Sequence, residues 1–85
     1  MRLDKWLWQA RFFKTRTLAT RFVEKKRCRV DGRVTDKPHA GVAPGTVLAF
    51  ALGPKVRVVR IVALGERRGP ASEARTLYDE IDGAD

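Results

Sequence analysis

Lys14 to Thr35, KTRTLATRFVEKKRCRVDGRVT, decides the fold, because one run holds a helix start, an amphipathic pattern and a hairpin. Thr15 is placed to cap a helix beginning at Arg16, since a threonine oxygen accepts from the free N–H groups that open every helix. Those N–H groups and the helix dipole also attract phosphate. Leu18, Ala19, Phe22 and Val23 form a stripe near 3.6-residue spacing, which leaves Arg16, Thr20, Arg21, Glu24 and Lys25 off it. After the cations Lys25, Lys26 and Arg27, Cys28 to Val30 leads into Asp31-Gly32. This pair is a two-residue turn in which glycine accepts positive φ, so Arg33 to Thr35 returns antiparallel. Helix and hairpin then present cations side by side.

Upstream, Asp4 is expected to cap a first helix from Lys5 to Phe13, with Leu3 packing on Trp8 as a hydrophobic staple. Trp6, Leu7, Ala10 and Phe13 share a face while Trp8 and Phe12 lie off its centre, so this helix must be covered on more than one side. Exposed aromatics can stack unpaired bases. In a domain this small, bulky rings are the most effective core material, and a core role is the preferred reading. Lys14 separates the two helices by a tight corner, which makes them a packed pair.

Downstream, Asp36 to His39 and Ala43-Pro44-Gly45-Thr46 are turn-rich, and Val47 to Leu52 is a strand-like apolar run ended by Gly53-Pro54. Lys55 to Leu64 starts as a strand with Val56 and Val58 opposite Lys55 and Arg57; Val58-Val59 breaks that phase, suggesting a bulge or a doubly buried end. Arg67 and Arg68 fall in a loop, and Pro70 opens a final acidic helix in which Ala71, Ala74, Leu77, Tyr78 and Ile81 recur at helical spacing. Asp82 to Asp85 is read as a frayed tail.

Eighty-five residues with 44% hydrophobic and 33% charged side chains describe one small folded domain, able to bury about 60% of its unfolded surface. No apolar run is long enough to cross a bilayer, and Gln9 and Arg11 interrupt the N-terminal aromatic stretch, so no signal peptide is read and the cytoplasm is the default location. The net charge of +8 is unevenly spread. Residues 1–37 carry twelve Lys or Arg against four Asp or Glu, whereas residues 70–85 carry one against five. With a pI near 10.6, this asymmetry favours a polyanion partner, because neutralising phosphates releases counterions.

Catalytic patterns are missing from the sequence. It has no P-loop, GxSxG elbow or HExxH pair. Asp79 and Glu80 are read as solvating charges rather than an acid and base. Cys28 excludes an internal disulfide and is read as a small buried hydrophobe, and His39 as a loop histidine with no partner at ligand spacing. No enzyme, cofactor or metal is expected.

Arg2-Leu3-Asp4-Lys5, Lys14-Thr15-Arg16, Ala19, Val30-Asp31-Gly32, Lys37-Pro38, Val42 and Gly45 together resemble the RNA-binding domain named after small-subunit ribosomal protein S-four, the alpha-L motif. Trp6-Leu7-Trp8 and the stretch Arg67 to Ala74, with Leu77-Tyr78, look like the heat-shock branch of that family. The resemblance implies an α+β fold with a helix pair on a small antiparallel sheet, to which the acidic C-terminal helix is added. Residues 1–69 are expected to be the RNA-binding domain and residues 70–85 the C-terminal helix and tail.

The implied ligand is structured ribosomal RNA. The implied partner is the free large ribosomal subunit still carrying a nascent chain as peptidyl-tRNA, and the implied role is recycling of such stalled subunits. The family's contacts fall on Arg2, Lys5, Lys14, Thr15, Arg16 and Arg21, with Lys25, Arg33 and Lys37 beside them. Lys26 stands where the family has a turn glycine. Two other readings stay open: an accessory module of an RNA-modifying enzyme, and generic attachment to nucleic acid or an anionic membrane by charge.

Overall fold

The computed structural model describes residues 1–81; the expected tail lies outside them. Helix α1 spans Leu3–Gln9 and α2 Arg16–Glu24. Strands follow at Cys28–Val30 (β1), Arg33–Thr35 (β2), Val47–Leu52 (β3) and Lys55–Ile61 (β4). A short helix α3, Ala71–Ala74, runs through one 3-10 turn into β5, Tyr78–Glu80. The strands form a single antiparallel sheet ordered β2-β1-β3-β4-β5. One face of it, from Cys28, Leu48, Phe50, Val59 and Ile61, makes the core with Leu3, Trp6 and Leu7 of α1 and Ala19 and Val23 of α2.

The first helix begins at Leu3 rather than Lys5, and Asp4 is not its cap. The backbone N–H groups of Leu3 and Asp4 donate to the carbonyls of Ala40 and Pro38, at 2.9 and 3.1 Å, so the loop before β3 caps this helix. Leu3 is therefore inside the helix and wholly buried rather than a staple ahead of it. The helix also stops at Gln9, short of Phe13. Arg11 takes the left-handed conformation (φ 64°), and the N–H groups of Arg11 and Phe12 return to the carbonyls of Trp8 and Leu7. This is a Schellman ending with arginine where glycine is usual. Phe12 and Phe13 thus leave the helix and pack as corner residues, Phe12 5.0 Å from Phe50 and Phe13 4.9 Å from Phe22 between ring centroids.

The segment after β4 straps this helix to the sheet. The Trp6 indole donates to the Ala63 carbonyl and the Gln9 amide to that of Leu64, both at 3.0 Å. Arg68 donates to the carbonyls of Trp8 and Phe13, and Arg11 to that of Gly69. Buried backbone carbonyls must be paired, and here side chains from a distant segment do it.

Along α2 the expected cap is present, with Thr15 Oγ1 accepting from the Leu18 N–H at 3.1 Å. Ala19 and Val23 are buried, but Leu18 is 48% exposed and leaves the expected stripe. Lys26 takes φ 62°, the conformation for which a glycine is favoured. The hairpin follows the expected register, Val30 opposite Arg33 and Cys28 opposite Thr35, with positive φ at both Asp31 and Gly32. The Asp31 carboxylate also accepts from the Val47 N–H at 2.9 Å, fastening the hairpin to β3. Cys28 is fully buried, and burial pushes its thiol up to about 12.

Two expectations for the second half are corrected. First, β4 ends at Ile61 rather than Leu64 and pairs with β3 without interruption from Leu52↔Lys55 to Val47↔Arg60, so there is no bulge. Val59 faces the core while Val56, 53% exposed, and Val58 point to the outer face; Arg57 lies on the inner side, 5.3 Å over the Phe12 ring. Second, the last helix ends before Ile81: Tyr78–Glu80 pairs with β4, Ile61↔Tyr78 and Val59↔Glu80. A lone β4 edge would leave backbone groups unpaired, and this strand satisfies them. Arg57 reinforces the pairing with two bonds to the Glu80 carboxylate, at 2.9 and 2.6 Å.

Candidate nucleic-acid interface

The N-terminus of α1, the N-terminal half of α2 and the Lys37-Pro38 turn meet around one carboxylate. Asp4 is 1% exposed, with Arg2 donating to both its oxygens at 3.1 Å and the Thr20 hydroxyl to Oδ2 at 2.8 Å. Arg16 stands 3.7 Å from Oδ1. Burial pushes the Asp4 carboxyl up, but the hydrogen bonds from Arg2 and Thr20 and the charges of Arg2 and Arg16 outweigh it, leaving the group below its usual 3.8. It is therefore ionised at neutral pH and positions two arginines. About half of each arginine side chain remains exposed, 50% for Arg2 and 44% for Arg16.

This arrangement suits phosphate. Arginine presents a planar fork of donors, and Arg16 spends none of its own as a hydrogen bond among the described residues. Arg21 and Lys25, one helical turn apart, form a second exposed row on α2. Lys14 and Thr15 lie in the corner leading into the helix, exposed, and Lys5 follows Asp4 on α1, half-buried. Lys37 is exposed beside Pro38, whose carbonyl accepts from the Asp4 N–H. Arg33 is apart from this group. It sits next to the hairpin turn, exposed, with no side-chain bond to the Asp4 cluster.

None of the nine expected positions is buried. Lys5, Lys14, Arg21, Lys25, Arg33 and Lys37 make no side-chain ion pair among the described residues. His39 is exposed in its turn, as read from sequence. No group of three or more metal-ligating side chains occurs among the described residues, and no helix there is long and apolar enough to cross a membrane.

The model of the S4 domain matches residues 1–48, which are α1, α2, the hairpin and the start of β3. The chain belongs to the S4-domain family. Among its relatives, heat shock protein 15 of Escherichia coli K12 is 44% identical over 80 residues, covering 94% of this chain and 59% of that protein. The chain thus spans about three-fifths of that relative's length. The RQC P-site tRNA stabilizing factor of Listeria monocytogenes is 40% identical over 82 residues, covering 94% of this chain and 88% of the relative. In structure, the trimeric heat shock protein 15 of Vibrio cholerae superposes with a TM-score of 0.93 at 37% identity, over 99% of this chain and 84% of that one. These place this S4 domain in the heat-shock branch, with the α+β architecture that the sequence implies.

Charge patterning alone reveals the cations of the S4 domain but not the acid that arranges two of them. Aspartate before an apolar run is the ordinary capping signal, and that signal hides the part Asp4 plays. The only local hint is its position between Arg2 and Lys5, with its deciding partners Arg16 and Thr20 on another helix.

Proposed function

We propose that this chain is a non-catalytic RNA-binding protein that grips structured ribosomal RNA on the large ribosomal subunit, in rescue or recycling of stalled subunits that carry a nascent chain. Peptidyl-tRNA is a further partner in this reading, and the cytoplasm its location. The observation that carries it is the Asp4 cluster, where one buried carboxylate sets Arg2 and Arg16 beside the N-terminus of α2. Relatives named for heat shock and for stabilising P-site tRNA support the choice of the ribosome as the site of action.

In this reading Arg2 and Arg16 hold one phosphate at the α2 N-terminus with help from Thr15. Lys14, Arg21 and Lys25 contact phosphates along the corner and outer row of α2. Lys5 and Lys37 flank the cluster, and Arg33 meets the backbone from the hairpin. Residues 1–69 carry these contacts, and residues 70–85 are the acidic C-terminal part of the chain, whose β5 completes the sheet. Contacts of this kind read the shape and charge of a folded RNA more than its sequence.

The test is co-sedimentation with free large subunits, small subunits and matched duplex DNA at equal phosphate concentration. Preferential recovery with large subunits, increased when they carry peptidyl-tRNA, is expected. Equal recovery with all three would reduce the function to generic polyanion attraction.

A further inference from the structure

At the end of the sheet opposite the hairpin, a cleft of about 210 Å³ opens between the turn after α1, β4, β5 and α3. Three guanidinium groups line it, those of Arg11, Arg57 and Arg75, over the rings of Phe12 and Tyr78, whose centroids lie 4.8 Å apart. The three differ in what they have left to give. Arg57 stacks on Phe12 and is neutralised by its two bonds to Glu80. Arg11 is held by one bond from its Nε to the Gly69 carbonyl, at 2.6 Å, which leaves its two terminal nitrogens unbonded among the described residues. Arg75 is exposed and has no side-chain hydrogen bond or ion pair among them. Among the described residues, the cleft therefore carries two positive charges with no ion-pair partner, beside an aromatic and alanine wall.

We propose that this cleft is a second RNA-contact site, taking one nucleotide of a single-stranded segment, with its phosphodiester between Arg11 and Arg75 and its ribose and base against Phe12 and Tyr78. The proposal extends the RNA-binding reading to a surface that joins Arg11 and Phe12 of the S4 match to Arg57, Arg75 and Tyr78 beyond it, outside the nine residues assigned above. Charge-assisted, forked donors favour phosphate over a neutral ligand, and an aromatic wall accepts any base without sequence preference. The volume favours one unit of a polymer over a sequestered small molecule, since enclosed ligand sites begin near ~300 Å³. Arg11 is already oriented by Gly69 and the Phe12 wall is fixed by Arg57, so of the two phosphate-holding arginines only Arg75 has to be ordered on binding. With the whole domain only 29 × 26 × 23 Å, one RNA could engage both this cleft and the α2 surface.

Amide NMR of the full chain titrated with single-stranded octauridylate, and separately with AMP, tests it. Expected are shifts at Phe12, Ala74, Arg75 and Tyr78 on adding the oligonucleotide, and about fivefold or greater loss of affinity at these amides in Arg75→Gln. Arg11→Gln should act in the same direction; Arg75→Gln, which breaks no bond of the fold, keeps the outcome readable if Arg11→Gln loosens the strap. Saturation by AMP as tight as by the oligonucleotide would support the cleft but assign it to free nucleotides. Shifts confined to α2 and the hairpin would overturn the cleft while leaving the RNA-binding reading intact. No shift anywhere would also overturn it, and the co-sedimentation with large subunits would then judge the main reading by itself.

Discussion

Arginines at the two ends of α1 do opposite work. Past its C-terminus, Arg68 is spent on backbone carbonyls of Trp8 and Phe13, and its guanidinium stands 5.8 Å over the Trp8 ring. At its N-terminus, Arg2 and Arg16 are held by Asp4 yet remain about half exposed. The first kind completes the fold; the second is oriented and left available. A count of positive charges treats them alike, and only the carbonyls and carboxylates around each decide which a cation is.

The contrast can be broken at its structural end most severely. Trp6 is wholly buried and supplies the indole bond to Ala63, so Trp6→Ala should cost about 3–5 kcal/mol. That is a large part of the ~5–15 kcal/mol that holds a small domain together. Thermal or urea unfolding would show a domain near or past its folding limit. A native-like melting curve would mean that the strap over α1 contributes little.

Next in size, Arg16→Glu combined with Arg21→Glu should weaken RNA affinity more than tenfold, since each charge-assisted bond contributes about 1.5–3 kcal/mol, and leave the domain folded, with a modest stability loss from the like charge set beside Asp4. Arg68→Ala should invert the pattern. Losing two carbonyl partners is expected to cost about 1–3 kcal/mol of stability with RNA affinity retained. If both sets moved stability and affinity together, the division between structural and available cations would fail.

Smaller effects sharpen the picture. Lys26 holds φ 62°, so Lys26→Gly should stabilise the fold by roughly 1 kcal/mol by removing left-handed strain. Acid should act through Asp4 and Glu80. The hydrogen bond from Arg57 lowers Glu80 from 4.5 against the opposing effect of burial, and Asp4 likewise lies below 3.8. A carboxyl lowered by folding contributes stability above its unfolded value and loses it as pH falls through the folded one. Stability should therefore hold to about pH 4 and fall below it, and Glu80→Gln should remove part of that fall while costing under ~1 kcal/mol at neutral pH, because the Arg57 pair is partly exposed. A melting temperature independent of pH between 5 and 2 would contradict both assignments.

Local signals made the middle of the chain legible. Thr15 carries its own capping oxygen, Asp31-Gly32 specifies its own turn, and both behave as their sequence directs. The ends were less legible because remote groups decide them. Where α1 starts depends on carbonyls at Pro38 and Ala40, and where it stops depends on an arginine in a left-handed conformation that no sequence rule singles out. Leu77, Tyr78 and Ile81 fit helical spacing, yet the open edge of β4 claims Tyr78–Glu80 as a strand. The candidate site divides likewise. Its cations were visible as charge, whereas Asp4 became its organiser only when α2 brought Thr20 and Arg16 to it.

The most direct measurement is affinity for free large ribosomal subunits across a salt series, with Arg16→Glu and Arg68→Gln compared to the unaltered chain. Arg16→Glu should bind more weakly, with its slope of log affinity against log salt reduced by about 0.7–0.9 because one phosphate fewer is neutralised, and Arg68→Gln should keep the original slope. Equal slopes for all three proteins, or weakened binding confined to Arg68→Gln, would contradict a phosphate grip at the N-terminus of α2.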